Sequence, residues 1–433
     1  MQLALFENPP VHQSLQAARS GSFVDNMALP VHRWFRYSAG FAAQWVEQVL
    51  NQWEITAGQR VLDPFAGSAT VMVVCDGCGI QSVGVEAHPV VARIASAKLL
   101  WPTAVDGFRA FAGAMLDAAQ FACDRGLRSA DNDFAQLILR SYDEESLRRL
   151  EYLRQAWIGL NDHSPQAELA WLALTAILRP TSRAGTAQWQ YILPNKTKRR
   201  VVEPFAAFVQ QVDLMCADLH HMQRTGQASS ATIHQGDARR LAEFVAAPVD
   251  AVITSPPYAN NYDYADALRF EMTFWRDVNG WGDIHDAVRQ YLIVSSSQHS
   301  SRDRLRMEQL LAEDVILPIR TELSAAMQQL AVVRENHGGK KHYHTMIGAY
   351  CRDISLVLRQ LRLVCKPGAV MCWVVGDSAP YGVYCPIDKW IGELALAAGF
   401  HRFSFEKLRD RNTKWKNRKH RVPLKEGLIW IEG

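Results

Sequence analysis

The chain of 433 residues is poor in cysteine, nearly neutral, and without a long apolar run. Each shortage excludes something. Eight cysteines are too few for a disulfide scaffold in a chain of this length. Only Cys75 and Cys78 form a CxxC, and no second pair completes a zinc site. Buried, reduced thiols are expected instead. No stretch of about 18 apolar residues occurs, so no membrane-spanning helix is expected. The opening MQLALFENPP carries a glutamate and two prolines where a secretory leader needs an apolar run, so a cytoplasmic protein is expected. Lys plus Arg number 47 against 44 Asp plus Glu, a net charge of +3. That excludes a polybasic, histone-like protein but leaves room for a local basic patch.

What is present is a globular core. Hydrophobic residues make up 48% and thirteen are tryptophan, enough for large aromatic clusters or stacking surfaces. Residues 1–29 read as irregular, and 31–50 as an aromatic stretch followed by a helix. Residues 60–62 end a strand, DPFAGSAT follows, and an apolar helix runs to Cys78. QSVGV is a second strand ending at Glu86, and 89–100 a second helix. This βαβα rhythm predicts an α/β fold with a parallel sheet.

The rhythm breaks over 101–225. Ser141 and Glu144 have capping-box spacing, and Leu147, Leu150, Leu153 and Trp157 repeat at helical spacing. Two more helices are expected over 168–178, ended by Pro180, and over 204–223. The α/β pattern resumes at 231–234 and at the apolar strand 249–253. Residues 262–345 are mixed and polar, with a helix near 317–333. A helix over 346–363, a turn at Lys366-Pro367-Gly368, a buried strand over 369–375, a helix over 387–398 and strands over 400–405 and 428–431 complete the chain. The expected organisation is one core in pieces. These are 1–100, a helical insertion at 101–230, 231–264, a second insertion at 265–345, and 346–433.

Two constellations carry chemistry. The first is Asp63-Pro64-Phe65-Ala66-Gly67-Ser68-Ala69-Thr70, where a strand hands over to a helix. Small residues there let a ligand approach the backbone, and Glu86 ends the next strand, placed to accept from ribose hydroxyls. No GxGxxG is present, which argues against a dinucleotide. The second is Ser255-Pro256-Pro257-Tyr258. Two prolines make a rigid turn that presents carbonyls and an aromatic ring over the sheet's C-terminal edge, where open α/β sheets bind ligands. Asp377 and His88, also at strand ends, read as structural.

Together these motifs resemble the S-adenosylmethionine-dependent amino-methyltransferases of DNA. DPFAGSAT resembles their DPFxGxGT cofactor motif, and TSPPY their (S/N/D)PP(Y/F/W) catalytic motif. HRWFRYSAGFAAQWVE, with Phe35, Tyr37 and Ser38, resembles the segment over the methionine end of the cofactor. VGVEAHP resembles the ribose-binding strand, HQGDARRL the segment whose acid, here Asp237, binds the adenine amino group, and VCKPGAVMCWVVGDS the late core strand. Ala69 departs from the pattern, where the family often has a second glycine; ordinary helical dihedrals at that position would accommodate it. The helical insertion also sits in an unfamiliar place, so either insertion could read the target sequence.

The resemblance implies a class I Rossmann-like methyltransferase fold with a mostly parallel twisted sheet, and S-adenosyl-L-methionine as cofactor. Asp63, Phe65, Ala66, Gly67, Ser68 and Thr70 would bind it with Glu86, Asp237 and the 35–38 segment. It implies that Ser255 and the Pro256 carbonyl accept hydrogen bonds from an exocyclic base amine, with Pro257 shaping the turn. Tyr258 would stack on a base flipped out of double-stranded DNA. The chain contains no Pro-Cys dipeptide, which cytosine-C5 enzymes use. A hydroxyl residue before Pro-Pro is more typical of cytosine-N4 enzymes than of adenine-N6 ones. An RNA base or a silent nucleic-acid-binding subunit are the remaining readings, and a cognate restriction endonuclease is the implied partner. Residues 409–421 (RDRNTKWKNRKHR) hold seven cations against one acid. Arg409, Arg411, Lys414, Lys416, Arg418, Lys419 and Arg421 are therefore expected to meet phosphates, with Trp415 among them. The cluster at 196–200, with Lys198, Arg199 and Arg200, is a second candidate.

Overall fold

A computed structural model describes residues 24–37, 39–127, 133–186, 192–198, 200–225, 230–260, 262–302, 305–411 and 422–433. Nine strands occur among them: β1 (Arg60–Asp63), β2 (Gln81–Glu86), β3 (Ala184–Thr186), β4 (Ile192–Thr197), β5 (Ala231–Gln235), β6 (Val249–Thr254), β7 (Cys365–Gly376), β8 (Arg402–Arg411) and β9 (Leu424–Glu432). Seven form one sheet in the order β5-β2-β1-β6-β7-β9-β8. The five strands from β5 to β7 are parallel, and β9 runs antiparallel between β7 and β8. This is an α/β fold of the Rossmann-like methyltransferase type. β3 and β4 form a separate hairpin.

Both faces of the sheet are covered, which is why its strands read as apolar runs rather than alternating ones. Along β1, β6, β7 and β9 neighbouring residues go to opposite cores. Val61, Ile253, Cys372 and Leu428 pack on one side, and Leu62, Val252, Trp373 and Ile429 on the other. The first side carries the helices Ala43–Gln52, Thr70–Cys78 and Pro89–Lys98, then the helical region from 105 to 225. The second carries Arg320–Arg334, Tyr343–Val364 and Ile387–Ala397. Residues 265–292 belong to the first core and 293–333 to the second. The chain therefore changes face at Leu292 and Ile293.

Polar pairs, buried or half-buried, lock the helical region in place. Arg179 of the helix Pro165–Thr181 holds Glu271 bidentately and also donates to the Ala267 carbonyl at 2.9 Å. Asp218 accepts from the indole of Trp34 at 3.0 Å and from Arg33. Arg93 grips Glu168 while its guanidinium lies 3.9 Å from the Trp171 ring centroid.

Several local expectations are corrected. The cap of the helix Glu144–Leu160 is Asp143, which accepts from the Ser146 amide; Ser141 instead donates to the Leu137 carbonyl. Pro180 lies inside the helix Pro165–Thr181, which ends one residue after it. Lys366-Pro367-Gly368 is part of β7, where a register shift against β6 and a left-handed Gly368 (φ +77°) replace the expected turn. Cys78 is exposed, not buried, and all eight cysteines are free. Among the described residues no helix is long and apolar enough to cross a membrane.

Candidate active site

The C-terminal ends of β1, β2, β5 and β6 open on a cleft. The turn after β1 forms its floor. Gly67 (φ +51°) and Ala69 (φ +68°) are both left-handed, which brings the turn back over β2. Ala69 therefore lacks the helical dihedrals that would accommodate its methyl group without cost, and holds a conformation costing an L-residue roughly 1 kcal/mol. At Gly67 a Cβ would stand 3.2 Å from the Tyr37 ring, so glycine there serves both the dihedral and the close approach.

Two carboxylates sit at this end. The Glu86 side chain accepts from the Gly67 amide at 2.9 Å and the His88 amide at 2.8 Å, and burial raises its pKa to about 7. Asp63, fully buried, accepts from the Phe65 amide at 3.0 Å and from the Thr254 hydroxyl at 2.6 Å. It ties β1 to β6, and burial likewise raises its pKa to about 7. Its second oxygen and the Ser68 hydroxyl are buried with no partner among the described residues.

Tyr37, Phe65, Ala66, Gly67, Ser68, Thr70, Glu86, Asp237, Ser255 and Pro257 all line the cleft. Asp63 and Phe35 lie behind it. Phe35 is buried, and its carbonyl is 3.5 Å from the Lys98 ammonium. Ser38 lies outside the described residues. Asp237 caps a short helical turn and is gripped by Arg239, which also reaches Asp353 at 3.2 Å. Asp353 in turn accepts from the Val294 amide at 3.0 Å.

The cleft's remaining wall lies largely outside the two main motifs. Tyr291, Leu292 and Ile293 come from the face-changing segment, Phe41 from the HRWFRYSAGFAAQWVE stretch, and Tyr264 from just beyond the Ser255–Tyr258 turn. The crowding of aromatic and acidic residues in NNYDYAD hinted at Tyr264, while nothing local marked residues 291–293. His88 also lines it; burial lowers its pKa to about 4, so it is neutral.

The Ser255–Tyr258 turn is braced from three sides. The Ser255 hydroxyl donates to the Val374 carbonyl of β7 at 3.2 Å. The Tyr258 amide donates to the Tyr264 hydroxyl at 3.1 Å, and Pro256 is buried. One face of the Tyr258 ring meets the Arg411 guanidinium, 5.2 Å from its centroid. Arg411 also donates to the Asp377 carbonyl at 3.0 Å, and with Arg409 it flanks Glu426. Asp377 accepts from the Lys425 amide. Lys414, Trp415, Lys416, Arg418, Lys419 and Arg421 lie outside the described residues, as does Arg199. Lys198 donates to the Arg179 carbonyl at 2.7 Å, and Arg200 is exposed.

The donor set fits S-adenosylmethionine. A carboxylate with two oxygens faces the cleft for a ribose diol, an apolar wall can hold a base, and partnerless polar atoms sit behind the turn.

No family profile matches the chain. It is 22% identical over 419 residues to the Type II methyltransferase M.AvaI of Nostoc sp., covering 90% of this chain and 83% of that protein. It is 22% identical over 467 residues to the Type II methyltransferase M.BsoBI of Geobacillus stearothermophilus, covering 94% and 87%. Among solved structures it aligns with the rRNA methyltransferase aviRa from Streptomyces viridochromogenes at a TM-score of 0.30 and 10% identity over 96% of each chain. That superposition is too loose to carry weight, and the fold rests on the strand order.

Proposed function

We propose that this protein is a site-specific DNA methyltransferase that moves the methyl group of S-adenosylmethionine to the exocyclic N4 amine of cytosine. One observation carries the reading: Ser255 and Pro257 wall the same cleft as Gly67, Glu86 and Asp237. The likeness to two Type II methyltransferases over 90% and 94% of this chain supports it.

The cofactor supplies an electrophilic methyl group on its sulfonium. The protein's part is to orient two partners and exclude water. Glu86 accepts from the ribose hydroxyls, Asp237, steadied by Arg239, from the adenine amine, and Leu292 and Ile293 offer an apolar flank. The amine of a cytosine is a poor nucleophile because its lone pair is delocalised into the ring. The Ser255 proton is directed at Val374, so the oxygen's lone pairs remain to accept a hydrogen from that amine. The Pro256 carbonyl is a second acceptor. Together they draw the nitrogen toward sp³ and aim its lone pair at the methyl. Tyr258 stacks on the flipped base with the ring face opposite the one held by Arg411.

The Type II names of the relatives support a place in a restriction–modification pair in the cytoplasm, with an endonuclease acting on the same site. The test is methylation of unmodified DNA with labelled cofactor, followed by nucleoside mass spectrometry. N4-methylcytosine is expected. N6-methyladenine would overturn the base assignment, label confined to RNA the substrate class, and failure to bind cofactor the enzymatic reading itself.

A further inference from the structure

Residues 334–344 (RENHGGKKHYH) join the helix Arg320–Arg334 to the helix Tyr343–Val364. They carry Arg334, Lys340, Lys341 and three histidines against one acid, Glu335. The fold brings this stretch to the edge where β7 ends. There the loop after β7 presents Tyr381, whose hydroxyl accepts from the Lys341 amide at 2.9 Å. Its ring meets His337 edge-on at 4.2 Å and Tyr343 at 4.6 Å. The same loop is fastened to the catalytic turn, because the Ser378 hydroxyl donates to the carbonyl of Ala259, the residue after Tyr258.

The stretch is held in one shape. Gly339, Lys340 and Tyr381 all have left-handed backbone (φ +77°, +37° and +50°). Non-glycine residues keep such dihedrals only where surrounding contacts pin them. Arg334 donates to the Lys340 carbonyl at 2.8 Å, and Glu335 pairs with both Arg334 and Lys340, at 2.9 and 2.6 Å. The single acid is thus occupied in buttressing the turn. Lys341 is left exposed, its ammonium 5.9 Å from the Tyr343 ring centroid and, among the described residues, without a carboxylate partner.

We propose that this face, led by Lys341 and flanked by His337 and Tyr343, seats the backbone phosphates of the DNA strand beside the target base. A cation held beside an aromatic ring, on a stretch packed against the loop that is fastened to the Ser255–Tyr258 turn, fits a polyanion entering that edge of the sheet. The inference rests on the DNA reading above. Duplex affinity of the full chain, measured across a salt series for the wild type, Lys341→Gln and Lys341→Glu, tests it, with cofactor affinity measured on the same preparations. Lys341→Gln is expected to bind about threefold to tenfold more weakly near 0.1 M salt, with the slope of log K against log salt reduced by about 1. Lys341→Glu loses more, the loss is equal on unrelated sequences, and cofactor affinity is unchanged. Wild-type affinity and slope in both variants would overturn the inference while leaving the DNA reading intact. A wild type with no duplex affinity would instead overturn the DNA reading, and this inference with it.

Discussion

The cofactor side of the candidate site and the flank beside it at β7, β8 and β9 handle charge in opposite ways. At β1 and β2, Asp63 and Glu86 are buried carboxylates served only by amides and one hydroxyl, and burial lifts both pKa values to about 7. Beside β7, β8 and β9 cations stand against most of the acids: Arg409 and Arg411 flank Glu426, and Lys425 pairs with Asp388. A buried acid without a cation is costly to keep ionised. It is a reasonable arrangement where a ligand brings the missing donors. The paired end asks for nothing from a ligand and acts as a rigid brace for Tyr258. The contrast separates a half that binds from a half that positions.

The sharpest way to break that division is at the positioning half. Ser255→Ala is expected to lower kcat by about 100-fold or more, ~3 kcal/mol, in single-turnover methylation, while cofactor affinity stays within about twofold. Equal losses of both would merge the two halves. Next comes Glu86→Gln. It should weaken cofactor binding roughly tenfold to 100-fold, the range of a hydrogen bond to a charged group at about 1.5–3 kcal/mol, with the saturated rate little changed. Arg411→Ala removes the cation from behind Tyr258 and should cost roughly fivefold in kcat, ~1 kcal/mol, without touching cofactor affinity. A loss seen only as weaker salt-dependent DNA binding would make Arg411 a phosphate contact rather than a brace. The smallest effect is Ala69→Gly, which relieves a left-handed alanine. It should stabilise the fold by about 1 kcal/mol, read as a rise of roughly 1–3 °C in Tm.

Much of the core was legible because its signals are local. DPFAGSAT and TSPPY sit where strands end, and Glu86 and Asp237 close the neighbouring strands; sequence spacing alone carries that placement. What was not legible depends on pairing across distance. Nothing local announces that Arg239, two residues from the Asp237 it grips, would also reach Asp353, 114 positions further on. Arg411 read as one cation in a basic run, yet β8 extends to it and lays it on a ring 153 positions earlier in the chain. The wall at Leu292 and Ile293 arises because the chain changes faces of the sheet there, a tertiary event with no composition of its own. Ala69 was marked by the sequence only as standing in for a second glycine; the left-handed backbone that explains why glycine would suit it comes from the turn itself.

The most direct test of the binding half is the affinity for S-adenosylmethionine between about pH 5.5 and 8.5. Burial raises Glu86 from 4.5 to about 7, so the free protein holds a proton there that ribose hydroxyls must displace. In the unliganded protein the sign is the reverse of an ordinary paired acid. The stabilising effect of this proton is fully present below about 4.5 and is lost as pH rises through about 7. Binding should therefore tighten with rising pH, by at most about tenfold per unit, and level off above about 7.5. Glu86→Gln should bind more weakly and flatten the profile. A flat profile in the wild type, or the same slope in the variant, would contradict the assignment of this carboxylate to the cofactor.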